Sequence, residues 1–111
     1  MDFDKMFETI DHLYEKNKND DILQDAVVDL YMAAVAYTKY RVNWNFYSRE
    51  QKVDEDKLRT IKHDAFIDRC NSLKRYLEKT MDVSWFELDK DRKVVGDFAN
   101  YVVYKLAVKQ R

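Results

Sequence analysis

The chain has no proline and a single glycine, Gly96, in 111 residues. Proline breaks helices and glycine permits tight turns and left-handed backbone. Without them the chain has little means of building hairpins, sharp corners or a glycine-rich loop that cradles phosphate. Cysteine is also scarce: Cys70 stands alone, so no internal disulfide can form. No apolar run approaches the ~18 residues that cross a bilayer. Charge of one sign is lacking too, with 20 basic against 21 acidic residues and a net charge of −1. That balance argues against a dedicated duplex-DNA binder, which carries a basic excess or patch. The opening Met1-Asp2-Phe3-Asp4-Lys5 has no basic flank followed by an apolar block, so a cytoplasmic location is expected.

What is present suits helices. The hydrophobic fraction of 46% supports a core, and the 37% of charged residues covers the outside. We expect one domain over residues 1–111, all-α, a four-helix up-down bundle with short connections and a long central second helix. Phe3, Met6, Phe7, Ile10, Leu13 and Tyr14 make the stripe of a first helix. Asp20 or Asp21 caps a second, drawn from about Ile22 to Gln51 and some 45 Å long at ~1.5 Å per residue. It carries two apolar stripes, one through Leu23, Val27, Leu30, Ala34, Tyr37 and Trp44, the other through Val28, Tyr31, Val35, Val42 and Phe46. A third helix is drawn from about Asp54 to Thr80 on Phe66, Cys70, Leu73 and Leu77, and a fourth from about Asp89 to Gln110 on Val95, Phe98, Ala99, Val102 and Leu106. Trp85, Phe86 and Leu88, between them, are expected to cover one end of the bundle. Gly96 costs about 1 kcal/mol relative to alanine inside a helix. Close packing of another helix explains it, and the third and fourth helices are expected to meet there.

Chemistry-bearing motifs are few. Cys70 and His63 lie about 10 Å apart along one helix at ~1.5 Å per residue, too far to form a nucleophile–base pair. Cys70 reads as a small buried apolar residue. His63, Asp64 and Asp68 have helical spacing, but no HExxH, CxxC or paired Glu-x-x-His accompanies them. No catalytic residue, metal or cofactor is therefore expected. The more specific signal is polar residues on core-directed faces. Arg41 lies on the line between Tyr37 and Trp44, Arg59 and His63 lie on the line leading to Phe66, and Asp91 and Arg92 flank the start of the fourth helix. Buried charge is costly unless paired. These five residues are either a structural polar cluster or a binding pocket at one end of the bundle.

The sequence around them has a familiar pattern. Arg59-Thr60, His63-Asp64-Ala65-Phe66-Ile67, Asn71-Ser72-Leu73, Arg75-Tyr76, Trp85 and Asp91-Arg92-Lys93-Val94-Val95-Gly96-Asp97-Phe98-Ala99 resemble a small bacterial family carried as a domain of unknown function. The likeness covers about Arg59 to Arg111. It implies that the third and fourth helices form the recurring unit, and it carries over no activity or catalytic residue.

The leading expectation is a non-catalytic helical interaction protein of bacterial or mobile-element origin, binding a protein partner or itself and no membrane. Tyr31, Val35, Tyr40, Trp44, Phe46 and Tyr47 are its candidate interface, because aromatic residues dominate interface hot spots. One alternative is a nucleic-acid-associated accessory protein, which requires the cations between Tyr40 and Arg49 to share an exposed face. The other is a small-ligand or metal site at the Arg59–His63–Arg92 end, which requires a concave pocket there.

Overall fold

The computed structural model describes residues 2–85 and 92–109, with Arg92 described by its backbone alone. Its elements are α1 (Phe3–Lys16), α2 (Asp21–Trp44), α3 (Arg49–Thr80) and α4 (Arg92–Lys109), with no strand among the described residues. The molecule measures 47 × 32 × 26 Å. The 32 residues of α3, at ~1.5 Å each, run its whole length.

Side chains take over the work that glycine and proline do elsewhere. The Asn17 amide nitrogen donates to the Leu13 carbonyl (2.8 Å), and Gln24 Nε2 donates to the carbonyls of Tyr14 (2.7 Å) and Asn17 (3.1 Å). These bonds satisfy carbonyls that the end of α1 would leave open. Asp20 caps α2 by accepting from the Leu23 amide at 3.0 Å.

The corner between α2 and α3 lies earlier than the apolar pattern suggests. The second helix ends at Trp44 rather than near Gln51, and the third begins at Arg49 rather than Asp54. The reason is a capping box. Ser48 Oγ accepts from the Gln51 amide (3.1 Å), and Gln51 Oε1 accepts from the Ser48 amide (2.8 Å). Asn45, Phe46 and Tyr47 close the turn through three-residue backbone bonds to Val42, Asn43 and Trp44. At the far end of α3, Asp82 takes the left-handed conformation (φ 53°), and the Val83 amide returns to the Leu77 carbonyl at 3.0 Å. Aspartate is among the few residues that visit that region readily.

Helix α2 is central and packs on each of the other three. Tyr31 stacks on Phe7 (5.7 Å), Tyr76 bonds Asp20 (2.6 Å) and Tyr40 bonds Glu55 (2.9 Å), so α1, α2 and α3 alternate in direction. The last helix departs from that alternation. Phe98 lies against Phe3 near the start of α1, while Lys109 pairs with Asp11 and Glu15 near its end, both at 2.8 Å. Thus α4 runs parallel to α1 and antiparallel to α2. The eleven residues between α3 and α4 can reach back along the bundle at ~3.3 Å each. Trp85 anchors this return: it is buried, packs on Phe98 and donates from Nε1 to the Met6 carbonyl at 3.0 Å. It packs along the bundle rather than over an end, and Phe86 and Leu88 lie outside the described residues.

The core follows the expected stripes. Leu23, Val27, Leu30 and Ala34 of α2, Phe66, Cys70, Leu73 and Leu77 of α3, and Val95, Phe98, Ala99 and Val102 of α4 are all buried. Burial alone pushes the Cys70 thiol well above its usual range, so it holds its proton and is no nucleophile.

The Asp20–Tyr76 bond has a pH signature. The Tyr76 hydroxyl, and after it the Leu23 amide, hold the Asp20 carboxyl below its usual value, while the same bond raises the Tyr76 phenol. A depressed carboxyl contributes stability above its unfolded pKa and loses it as pH falls through the folded one. A raised phenol contributes below its unfolded pKa and loses that as pH rises through the folded one. Urea melts of Asp20→Asn, which retains a capping oxygen, should therefore show a flatter acid limb than the parent. An unchanged acid limb would place the dependence elsewhere.

Candidate functional site

A cavity of about 370 Å³ opens where the C-terminal end of α2, the first half of α3 and the first turns of α4 meet. Its size falls in the ordinary range for small-molecule pockets, roughly 300–1,000 Å³. Arg41, Arg59, His63 and Lys93 line it, and among the described residues no carboxylate does. Tyr37 and Trp44 supply aromatic walls, with Val42 and the amide side chains of Asn45 and Asn100 completing the lining.

Each cation reaches the cavity by its place on a helix. Arg41 follows Tyr37 by one turn on the buried face of α2, so its side chain heads inward. There its guanidinium sits 5.8 Å from the Tyr37 ring and lies on Gly96 of α4. A Cβ at Gly96 would collide with Arg41 Cζ and Nη1 and come within 2.9 Å of Nε. This accounts for the lone glycine by close packing, as expected, but the approach is between α2 and α4 rather than α3 and α4.

Arg59 is half-buried. Its guanidinium lies 4.7 Å over the Trp44 ring, and its Nη2 pairs with Asp56 at 2.7 Å. His63 is 6% exposed, the one buried polar side chain among the described residues. Its Nδ1 lies 3.0 Å from Asp64 Oδ1, and its ring meets Tyr37 edge-on at 5.7 Å. Three nitrogens of this set, Arg41 Nη1, Arg59 Nε and His63 Nε2, are shut off from water and have no hydrogen-bond partner. Native proteins pair the large majority of such groups.

Of the five polar residues singled out from the sequence, Arg41, Arg59 and His63 thus share one cavity. Asp91 and the Arg92 side chain lie outside the described residues. Lys93, Asn45 and Asn100 were missed. Lys93 stands one residue beyond the polar pair chosen at the start of the fourth helix, and the two asparagines carry no periodic signal.

The candidate interface fares differently. Tyr31 is half-buried on Phe7, with its hydroxyl 3.3 Å from Asp11. Tyr40, Trp44 and Tyr47 pack on one another at 5.9–6.2 Å. The Tyr40 phenol is pushed up to about 12 by desolvation and by its bond to Glu55. Tyr31 is thus engaged by α1, and the other three rings by one another and by α3, where Tyr40 bonds Glu55 and Arg59 lies over Trp44. Val35 and Phe46 are exposed, Phe46 at 83%. Lys39 and Arg49 are exposed while Arg41 turns inward, so these cations do not form one outward strip.

Among the described residues, no three His, Cys, Asp or Glu side chains gather as a metal site, and no helix is long and apolar enough to cross a membrane. In comparisons with known proteins, no family model, curated protein or solved structure matches this chain.

Proposed function

We propose that this is a non-catalytic binding protein that holds an anionic ligand in the cavity between α2, α3 and α4. The observation that carries the reading is the lining itself: among the described residues, Arg41, Arg59 and His63 border the cavity beside aromatic walls, with no carboxylate in the lining.

The test is linkage. With ionic strength held constant, replacing chloride by sulfate or a phosphate ester should raise the urea midpoint, by about 2.7 kcal/mol of stability at one hundred times Kd. Arg59→Gln should abolish the gain. An equal gain in that variant, or none in the parent, would overturn the reading.

A protein partner or a second copy of this chain is the other reading. It is favoured by one observation, the exposed apolar residues Val28, Met32, Val35 and Val42 on α2, with Phe46 just beyond. They recur at helical spacing on one side of α2, interrupted by the exposed Lys39, and exposed apolar patches mark interaction sites. Light scattering on the same samples reads self-association directly, and a strict monomer at high concentration would end that part of it.

A further inference from the structure

We infer that the exposed stripe of α2 pairs two copies of this chain, antiparallel about a two-fold axis near Met32. This rests on the second reading above, that α2 carries an interaction surface, and names the occupant.

The stripe is a second seam on a helix that already has one. Leu23, Val27, Leu30, Ala34 and Tyr37 of α2 are buried in the core. On the other side Asp25, Val28, Met32, Val35, Lys39 and Val42 are all exposed, at alternating steps of three and four residues. Such steps keep side chains on one line along a helix, and apolar residues at that spacing form the seam against which a second helix packs.

The order of charge along the stripe names the second helix. From its N-terminal end it runs acid, apolar, base: Asp25, then Val28, Met32 and Val35, then Lys39. Asp25 and Lys39 each stand seven residues from Met32, about 10 Å along the helix at ~1.5 Å per residue. A second copy turned antiparallel about Met32 therefore sets Met32 on Met32, Val28 beside Val35, and each Asp25 opposite the other copy's Lys39. A two-fold contact requires a surface that matches its own inverse, and this stripe does. A parallel copy would instead lay Asp21 on Asp21, Asp25 on Asp25 and Lys39 on Lys39, which like charges oppose. A single lysine on such a seam also fixes register and the number of helices that join, at some cost in stability. A different protein would have to present the same order in reverse. A second copy does so by symmetry.

Sedimentation equilibrium on the full chain, from micromolar to millimolar concentration, is the test. The parent is expected to dimerise reversibly. Met32→Glu, which brings two carboxylates together at the axis, should remain a monomer. Met32 is 67% exposed, so that change leaves the fold intact, and circular dichroism checks it. Lys39→Asp and Asp25→Lys should each raise the dimer dissociation constant about tenfold, because both symmetric contacts turn from attraction to repulsion. The two changes combined in one chain should bring it back to within about threefold of the parent. Single reversals that dimerise as tightly as the parent, or a combined variant no better than the singles, would overturn the antiparallel pairing and leave α2 as the interaction surface. A parent that stays monomeric at millimolar concentration would overturn the second copy and leave another protein as the occupant of the stripe. A dimer that Met32→Glu does not weaken would end both, since the contact would then lie elsewhere on the molecule.

Discussion

Replacing Phe98 with alanine is expected to remove about 3–5 kcal/mol of stability, the usual loss when a buried aromatic is truncated. Phe98 is fully buried on α4, and its ring is the meeting point of the molecule. Phe3 of α1 lies 5.5 Å away, Phe66 of α3 6.0 Å, and Trp85 of the return segment 6.2 Å. Truncation leaves a cavity bordered by three elements that cannot all collapse into it. Domains of this size hold about 5–15 kcal/mol in total, so the variant should sit close to its unfolding threshold at room temperature. Urea denaturation followed by circular dichroism measures the loss. Tyr104→Ala, on the exposed side of the same helix, is the control and should stay within about 0.5 kcal/mol of the parent. Equal losses for the two would mean that α4 does not organise the core.

Arg41→Met is expected to act in the opposite direction, raising stability by about 1–3 kcal/mol while abolishing the response to sulfate. Methionine matches the length of the arginine stem and adapts to irregular space. It removes a guanidinium whose Nη1 is buried without a partner, and a buried donor left unpaired costs about 1–3 kcal/mol. The change also forfeits the contact over Tyr37, 5.8 Å away, worth about 0.5–1 kcal/mol. The desolvation relief is the larger quantity. Urea midpoints with and without sulfate give both results in one series. A variant less stable than its parent would show that Arg41 is a strut between α2 and α4 rather than a group kept for a ligand.

The helices were legible in the sequence wherever burial is decided by period alone. The stripes through Leu23 to Tyr37, Phe66 to Leu77 and Val95 to Val102 are the core. The corner between α2 and α3 was not, because apolar residues such as Trp44, Phe46 and Val53 continue a helical rhythm straight through it. The real signal was local: Ser48 followed at three residues by Gln51. The direction of α4 was also hidden, since periodicity says which face is buried and nothing about which end of the bundle a helix enters. Within the cavity, Arg41, Arg59 and His63 were found because a charge on an apolar line breaks a pattern. Asn45 and Asn100 break none. The ring contacts of Tyr31, Tyr40, Trp44 and Tyr47 within their own chain were not legible either, because composition does not say which neighbour a ring meets.

The parallel course of α4 bears on the order in which the protein is made. Chains emerge from the ribosome N-terminus first, at about 5–20 residues per second. The antiparallel contacts of α1, α2 and α3 join neighbours in sequence and can form as they appear. Those of α4 cannot: Phe98 seeks Phe3, and Lys109 seeks Asp11. Until the last helix arrives, the buried face of α2 and the inward-turned Arg41 have no Gly96 to lie against, and one wall of the cavity does not exist. Any ligand of that cavity would therefore engage only chains in which α4 has docked, and its occupancy would report that docking.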